Sequence, residues 1–223
     1  MKKLMIAAAV MAAGVAMADA ISSSVVGYQT KTTVSGFNFI APTFKSVGSG
    51  SVDIQDIKLD GDVTEYADSI QVLDEGGATA EIYLWTADGW IDFNTFAQAN
   101  VSLVAGESIL VDTANAVSAT MAGEVGTTPY ETTSVAGFNF VGNTTPVDID
   151  IQTITLEGDY TEYADSIQIL DDGGATAEIY LWTADGWIDF NTFAPATKTI
   201  EAGLGLLIDT ANAGVTITVP AAL

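Results

Sequence analysis

Two aromatic clusters edged by carboxylates are the side chains best equipped for chemistry. One is Tyr83, Trp85, Trp90 and Asp92, with Glu81 beside them; the other is Tyr180, Trp182, Trp187 and Asp189, with Glu178. A flat ring stacks on a pyranose face while neighbouring carboxylates accept its hydroxyls, so this set predicts a glycan-binding surface, doubled for avidity. The competing expectation is burial under a loop or between domains, where large aromatics usually go. A second chemistry lies in the acidic, glycine-relieved turns Asp60-Gly61-Asp62 and Asp74-Glu75-Gly76-Gly77, with Glu65, Asp68 and Asp88 nearby. Turns of this kind hold calcium at the ends of β-domains, which makes Asp60, Asp62, Asp74 and Glu75 the metal candidates. Their spacing does not match a helix-flanked calcium loop, and solvated turn carboxylates are the alternative. No other cofactor is expected.

Catalysis has little to draw on. The chain contains no histidine, cysteine or arginine, and therefore no imidazole base, thiolate nucleophile or guanidinium clamp. Carboxylate pairs remain, Glu65 with Asp68 or Glu81 with Asp92, and two carboxylates are the apparatus of glycoside hydrolysis. A glycosidase also needs a cleft around its acids, whereas these fall mostly in turns, so a non-enzyme is expected.

The element that must position the first cluster is a hairpin, Ala80 to Phe93, reversed at Asp88-Gly89. Strand alternation separates Ile82, Leu84, Ile91 and Phe93 from Glu81, Tyr83, Trp85, Trp90 and Asp92. The aliphatic set reads as core and the aromatic set as exposed. If Trp85 faces Trp90 across a four-residue loop, Leu84 faces Ile91 and Ile82 faces Phe93; a two-residue loop shifts the pairs and leaves the two faces intact. Around it, β-branched or alternating runs predict strands at Val25 to Val34, Gly36 to Ile40, Val52 to Leu59, Ser69 to Leu73, Thr79 to Trp85, Trp90 to Phe93, Ser108 to Asp112 and Val117 to Met121. Strands this short, separated by Gly, Asp, Asn, Ser and Pro, predict an antiparallel sandwich or small barrel.

The whole unit occurs twice. Residues 64 to 97 return at 161 to 194 with only Val72/Ile169 and Glu75/Asp172 exchanged, a period of 97 residues. Two tandem antiparallel β-domains are therefore expected, 21–124 and 125–223, each long enough to close its own core. Residues 1–20 read as a signal peptide: Lys2 and Lys3, an apolar run from Leu4 to Met17, and the small-residue site Ala18-Asp19-Ala20. No later stretch is apolar enough for a spanning helix, so a secreted, periplasmic or cell-surface product follows. Sixteen strands could also close an outer-membrane barrel, but most of the predicted runs are shorter than a spanning strand needs. Without residues 1–20 the chain carries 4 basic and 28 acidic residues, a net charge of −24 that rules against nucleic-acid and anionic-lipid partners.

Several segments carry a resemblance: Ser24-Val25-Val26-Gly27-Tyr28-Gln29-Thr30, Gly36-Phe37-Asn38-Phe39-Ile40-Ala41-Pro42, Gly89-Trp90-Ile91-Asp92 and Ala105-Gly106-Glu107-Ser108-Ile109-Leu110-Val111, the last echoed at Ile200 to Ile208. Together they resemble uncharacterised secreted β-repeat proteins of the verrucomicrobial type. That resemblance implies an exported, all-β, non-catalytic product and transfers no functional residue. The second copy departs at its start, where Val125-Gly126-Thr127-Thr128-Pro129-Tyr130 replaces the Val-Val-Gly-Tyr entry. The expected function is a structural or interaction component of a cell surface, matrix or appendage, partnered by itself or by glycans. A carbohydrate-binding module and a calcium-stabilised adhesin are the alternatives.

Overall fold

The computed structural model describes residues 26–73, 80–170 and 177–221, and within them the chain is all β with two 3-10 turns and no α-helix. The first group of strands comprises β1 (Val26–Thr32), β2 (Gly36–Ile40), β3 (Phe44–Lys45), β4 (Val52–Asp53), β5 (Lys58–Gly61), β6 (Ser69–Leu73), β7 (Ala80–Thr86), β8 (Gly89–Asp92), β9 (Ser102–Leu103), β10 (Ile109–Thr113) and β11 (Val117–Val125). The second comprises β12 (Tyr130–Thr133), β13 (Gly137–Gly142), β14 (Ile149–Asp150), β15 (Thr155–Glu157), β16 (Ser166–Leu170), β17 (Ala177–Thr183), β18 (Gly186–Asp189), β19 (Thr199–Ile200), β20 (Gly205–Thr210) and β21 (Thr216–Val219). The predicted strand Val52 to Leu59 splits because the Asp53 side chain accepts from the Gln55 amide at 2.9 Å and caps a 3-10 turn over Ile54–Asp56. β3 and β9 are two residues each, too short for alternation to show.

Each group is an antiparallel sandwich. In the first, β1-β11-β3 with β5 also on β11 faces the five-stranded sheet β2-β10-β6-β7-β8; in the second, β12-β21-β15 faces β13-β20-β16-β17-β18. Alternating residues of both sheets fill the space between. Ile70, Tyr83, Trp85, Trp90, Ile109 and Val111 meet Phe44, Leu59, Val117, Ala119 and Met121 in one apolar cluster, and a separate cluster lies wholly within 141–219. No single closed barrel forms, since the strands divide among six sheets among the described residues.

The two groups meet through equivalent edges. Ile40 bridges Leu204 and Val141 bridges Glu107, while the Ala41 amide donates to the Gly203 carbonyl at 2.9 Å and the Gly142 amide to the Gly106 carbonyl at 3.2 Å. These are the same contacts made in both directions, as in a two-fold pairing of like subunits. Phe39 and Phe140 pack edge to face at the centre, ring centroids 5.8 Å apart. Gly142 is required there: a Cβ on it would lie 2.3 Å from the Ala41 Cβ and 2.8 Å from the Leu204 carbonyl oxygen. The altered start of the second copy serves the same junction, because Tyr130 lays its ring over Gly106.

Candidate functional site

The hairpin has the Trp85–Trp90 register and buries its aromatic face, while on the other face Leu84 and, in the second copy, Leu181 are buried as well. Trp85 pairs with Trp90 and Leu84 with Ile91, and the Phe93 amide donates to the Ile82 carbonyl at 3.0 Å. The reversal uses Ala87-Asp88 as its central residues, with only Gly89 at positive φ. Yet Tyr83, Trp85 and Trp90 are 3%, 8% and 0% exposed, as Tyr180, Trp182 and Trp187 are 7%, 7% and 1%, whereas Phe93 and Phe190 stand 47% and 46% in solvent. The expected glycan face is thus the core of each sandwich, a correction with a volume cause: two indoles and a phenol fill the gap between sheets better than the aliphatic set. Trp85 and Trp90 meet edge to face at 4.9 Å, and the Trp90 indole donates to the Ile57 carbonyl at 2.7 Å.

The carboxylates of that set have local tasks. Glu81 accepts from the Tyr83 hydroxyl at 2.7 Å, and burial together with this bond holds the phenol well above its usual range; Glu178 and Tyr180 repeat the arrangement. Asp92 Oδ1 accepts from the amides of Asn94 and Thr95 at 2.9 and 2.7 Å and from the Thr95 hydroxyl at 2.9 Å, which lowers the carboxyl below its ordinary value. Asp189 does the same for Asn191 and Thr192. Through Oδ1 both acids brace their loops. Of the metal candidates, Asp60 and Asp62 are exposed, while Asp74 and Glu75 lie outside the described residues. Among the described residues no group of three or more acids converges on a metal position.

A different set of aromatics is at the surface. Tyr66 and Phe96, with Tyr163 and Phe193 in the second copy, are 57%, 63%, 58% and 62% exposed. All four have left-handed backbone, with φ of 62°, 54°, 62° and 55°, and they are the only non-glycine residues at positive φ among those described. Bulky side chains avoid this conformation, at a cost of about 1–2 kcal/mol each, and it persists only where the surroundings fix it. Those surroundings are explicit. The Tyr66 amide donates to the Trp85 carbonyl at 3.0 Å, and the Ala67 and Asp68 amides donate to the Thr64 carbonyl at 3.1 and 3.0 Å. Asp68, fully buried, closes the turn by accepting from the Thr64 amide at 2.8 Å and ties it to the next loop by accepting from the Ala114 amide at 2.7 Å. Phe96 donates its amide to the Asp92 carbonyl at 2.9 Å, on the loop that the Asp92 side chain braces. Asp165 and Asp189 reproduce both braces with the same partners in the second copy.

Tyr66 and Phe96 line one open cleft of about 380 Å³ together with Glu65, Asp88, Ile91 and Gln98. Residue reasoning missed these rings although a signal was present. The repeated block runs past the strands into both loops, keeping Tyr66 and Phe96 unchanged while core positions drift, as Ile40/Val141 and Val111/Ile208 do. A larger cleft of about 550 Å³ lies between the halves, but its Lys31 and Lys198 are already paired with Glu201 at 3.0 Å and Glu178 at 2.8 Å. Its counterpart across the two-fold, lined by Thr132, Asn139 and Phe140, has no lysine.

Beneath each aromatic loop lies a pair of acids with a readable pH signature. Burial, then the neighbouring Asp68, raises the carboxyl of Asp112 above its ordinary value of 3.8, and Asp209 is raised by burial and Asp165 in the same way. A carboxyl whose folded value is raised binds its proton more readily in the folded state. Its unfavourable contribution is fully present at neutral pH and fades as the pH falls through the raised value toward 3.8. Asp112→Asn is therefore expected to raise the melting temperature at pH 7 by roughly a degree or two. Thermal melts across pH check this, because the gain disappears below 3.8.

Comparison with protein-family models, with curated proteins and with solved structures returns no match.

Proposed function

We propose that this chain is a non-catalytic exported protein that acts by binding, as a component of a cell surface, matrix or appendage. The observation that carries the reading is the duplicated pair of exposed rings held in costly left-handed backbone by identical braces, Tyr66 with Phe96 and Tyr163 with Phe193. A half-exposed ring recovers little of this strain through packing, so a contact outside the chain is its best explanation. The junction between the halves supports bivalent action. β7 and β8, which carry the first cleft, and β17 and β18, which carry the equivalent rings of the second half, are the strands farthest along their sheets from the two-fold contact made by β2 and β13. At about 4.8 Å per strand, sheets laid edge to edge put the two sites at most roughly 40 Å apart.

Carbohydrate binding is the second reading, favoured by the acceptors Glu65, Asp88 and Gln98 around the rings. It belongs to these clefts and not to the buried tryptophans. The test is an array of immobilised glycans and polypeptides probed with the mature protein and with a Tyr66→Ala/Phe96→Ala/Tyr163→Ala/Phe193→Ala variant, alongside electron microscopy for assemblies. Signal or assembly lost in the folded variant supports the reading, and signal or assembly unchanged in it contradicts the assignment to these clefts.

A further inference from the structure

The clefts are anionic as well as aromatic. Glu65 precedes Tyr66 in the loop, Asp88 stands at the tip of the β7–β8 reversal, and both are exposed. The second copy places Glu162, Tyr163, Asp185, Ile188 and Phe193 at the equivalent positions, with both acids again exposed and Pro195 in place of Gln98. Ring faces carry negative potential, and a cation over them is attracted further when carboxylates stand at the rim. The chain as a whole adds to this field, with 29 acids against 6 bases. Phosphate, sulfate and uronate groups are repelled from such a site. Half-buried Ile91 lies beside the two rings and gives the cleft an apolar part. A methylene stem ending in a cation satisfies all three features at once: hydrocarbon on Ile91, ammonium against the rings, and counter-charge from Glu65 and Asp88.

We propose that each cleft takes a lysine side chain, and that the partner is a lysine-rich polypeptide spanning both clefts. This rests on the reading of the clefts as binding sites given above. A second copy of the chain is a poor source of that lysine. Only 4 lysines lie outside residues 1–20, and Lys31 and Lys198 are engaged in ion pairs within the chain. A flexible peptide needs at least about 12 residues to reach across roughly 40 Å. Longer lysine-rich peptides are therefore expected to bind at least about tenfold more tightly than short ones, through the second cleft.

General attraction between a polycation and an acidic protein would also give binding, so the test holds charge fixed for both protein variants and both lysine peptides. The full mature chain is titrated with a lysine hexapeptide, a 20-residue peptide with six lysines spread along it, a glucosamine oligomer and a neutral glucose hexamer. Calorimetry gives affinity, and ring resonances of the two tyrosines and two phenylalanines give the location. The rings are expected to shift with both lysine peptides, and the Tyr66→Leu/Phe96→Leu/Tyr163→Leu/Phe193→Leu variant is expected to bind roughly tenfold more weakly at equal charge. Equal affinity of that variant, with its folded state verified by its melt, overturns the proposal. Shifts with the glucosamine oligomer alone move the cation from protein to amino sugar and overturn the lysine assignment. Shifts with the neutral hexamer alone overturn the cation assignment and leave the clefts as binding sites. No shift with any probe overturns the reading of the clefts itself.

Discussion

Trp90→Ala and Trp187→Ala are each expected to destabilise their half by about 3–5 kcal/mol. These are the largest side chains with under 2% exposure, and each fills the centre of its sandwich. Truncation removes the edge-to-face contact with Trp85 or Trp182 at 4.9 Å and leaves a cavity that the two sheets cannot close. It also removes the indole donor at 2.7 Å from the Ile57 or Ile154 carbonyl, an acceptor that then lies buried without that bond. Against a total stability on the order of 5–15 kcal/mol, loss of one tryptophan leaves the affected half marginal. An internal control is built in, because the Trp182 indole nitrogen is buried without a hydrogen-bond partner among the described residues. Trp182→Phe is therefore expected to cost less than Trp187→Phe, by about 1 kcal/mol or more, in denaturant melts. Equal costs would mean that the Trp187 hydrogen bond contributes nothing.

Asp68→Ala and Asp165→Ala form the second large effect. Asp68 is fully buried and accepts two backbone amides, from Thr64 at 2.8 Å and Ala114 at 2.7 Å; Asp165 accepts from Thr161 at 2.9 Å and Ala211 at 2.8 Å. Alanine leaves both donors without that acceptor, at about 1–3 kcal/mol each. Asparagine keeps one bond and turns an N–H toward the other donor, so Asp68→Asn falls between wild type and alanine. Two further consequences separate this from generic damage. Asp112 loses the neighbour that helps to raise it, so its carboxyl moves back toward 3.8 in a pH titration followed by NMR. The Thr64–Asp68 turn also loses the brace that fixes Tyr66, so ligand affinity at the cleft falls in the folded variant. A large stability loss with Asp112 unmoved would contradict the assigned geometry.

Much of the fold is legible in the residues. Gly36–Ile40 and Ser69–Leu73 are strands with the predicted bounds, and the hairpin pairs Trp85 with Trp90, one of the two registers that alternation allows. What alternation could not choose was the inner face. Between Glu81 and Phe93 both faces are apolar, one aliphatic and one aromatic, so a period of two is satisfied whichever set is buried. The choice comes from the packing between sheets and from Gln55 and Ile57, which accept from the Trp90 amide and indole, while the Ala99 amide donates to the Trp90 carbonyl. Gln55 and Ile57 are more than thirty residues away in sequence. The candidate site was hidden for another reason. Tyr and Phe carry no signal for left-handed backbone, and the loops that impose it are set by Asp68 and Asp92, residues that look like solvated turn acids or half of a catalytic pair. A buried acceptor of backbone amides and an exposed carboxylate share one letter.

In the proposed reading Tyr66, Phe96, Tyr163 and Phe193 are held out for a partner at the expense of stability. Glycine at all four positions separates that role from a purely structural one, since glycine adopts positive φ without steric cost. The relief offsets the lost ring contacts, so the melting temperature is expected to equal or exceed that of the wild type while partner binding is abolished. A variant that melts well below the wild type yet binds unchanged would show that the four rings serve the fold alone.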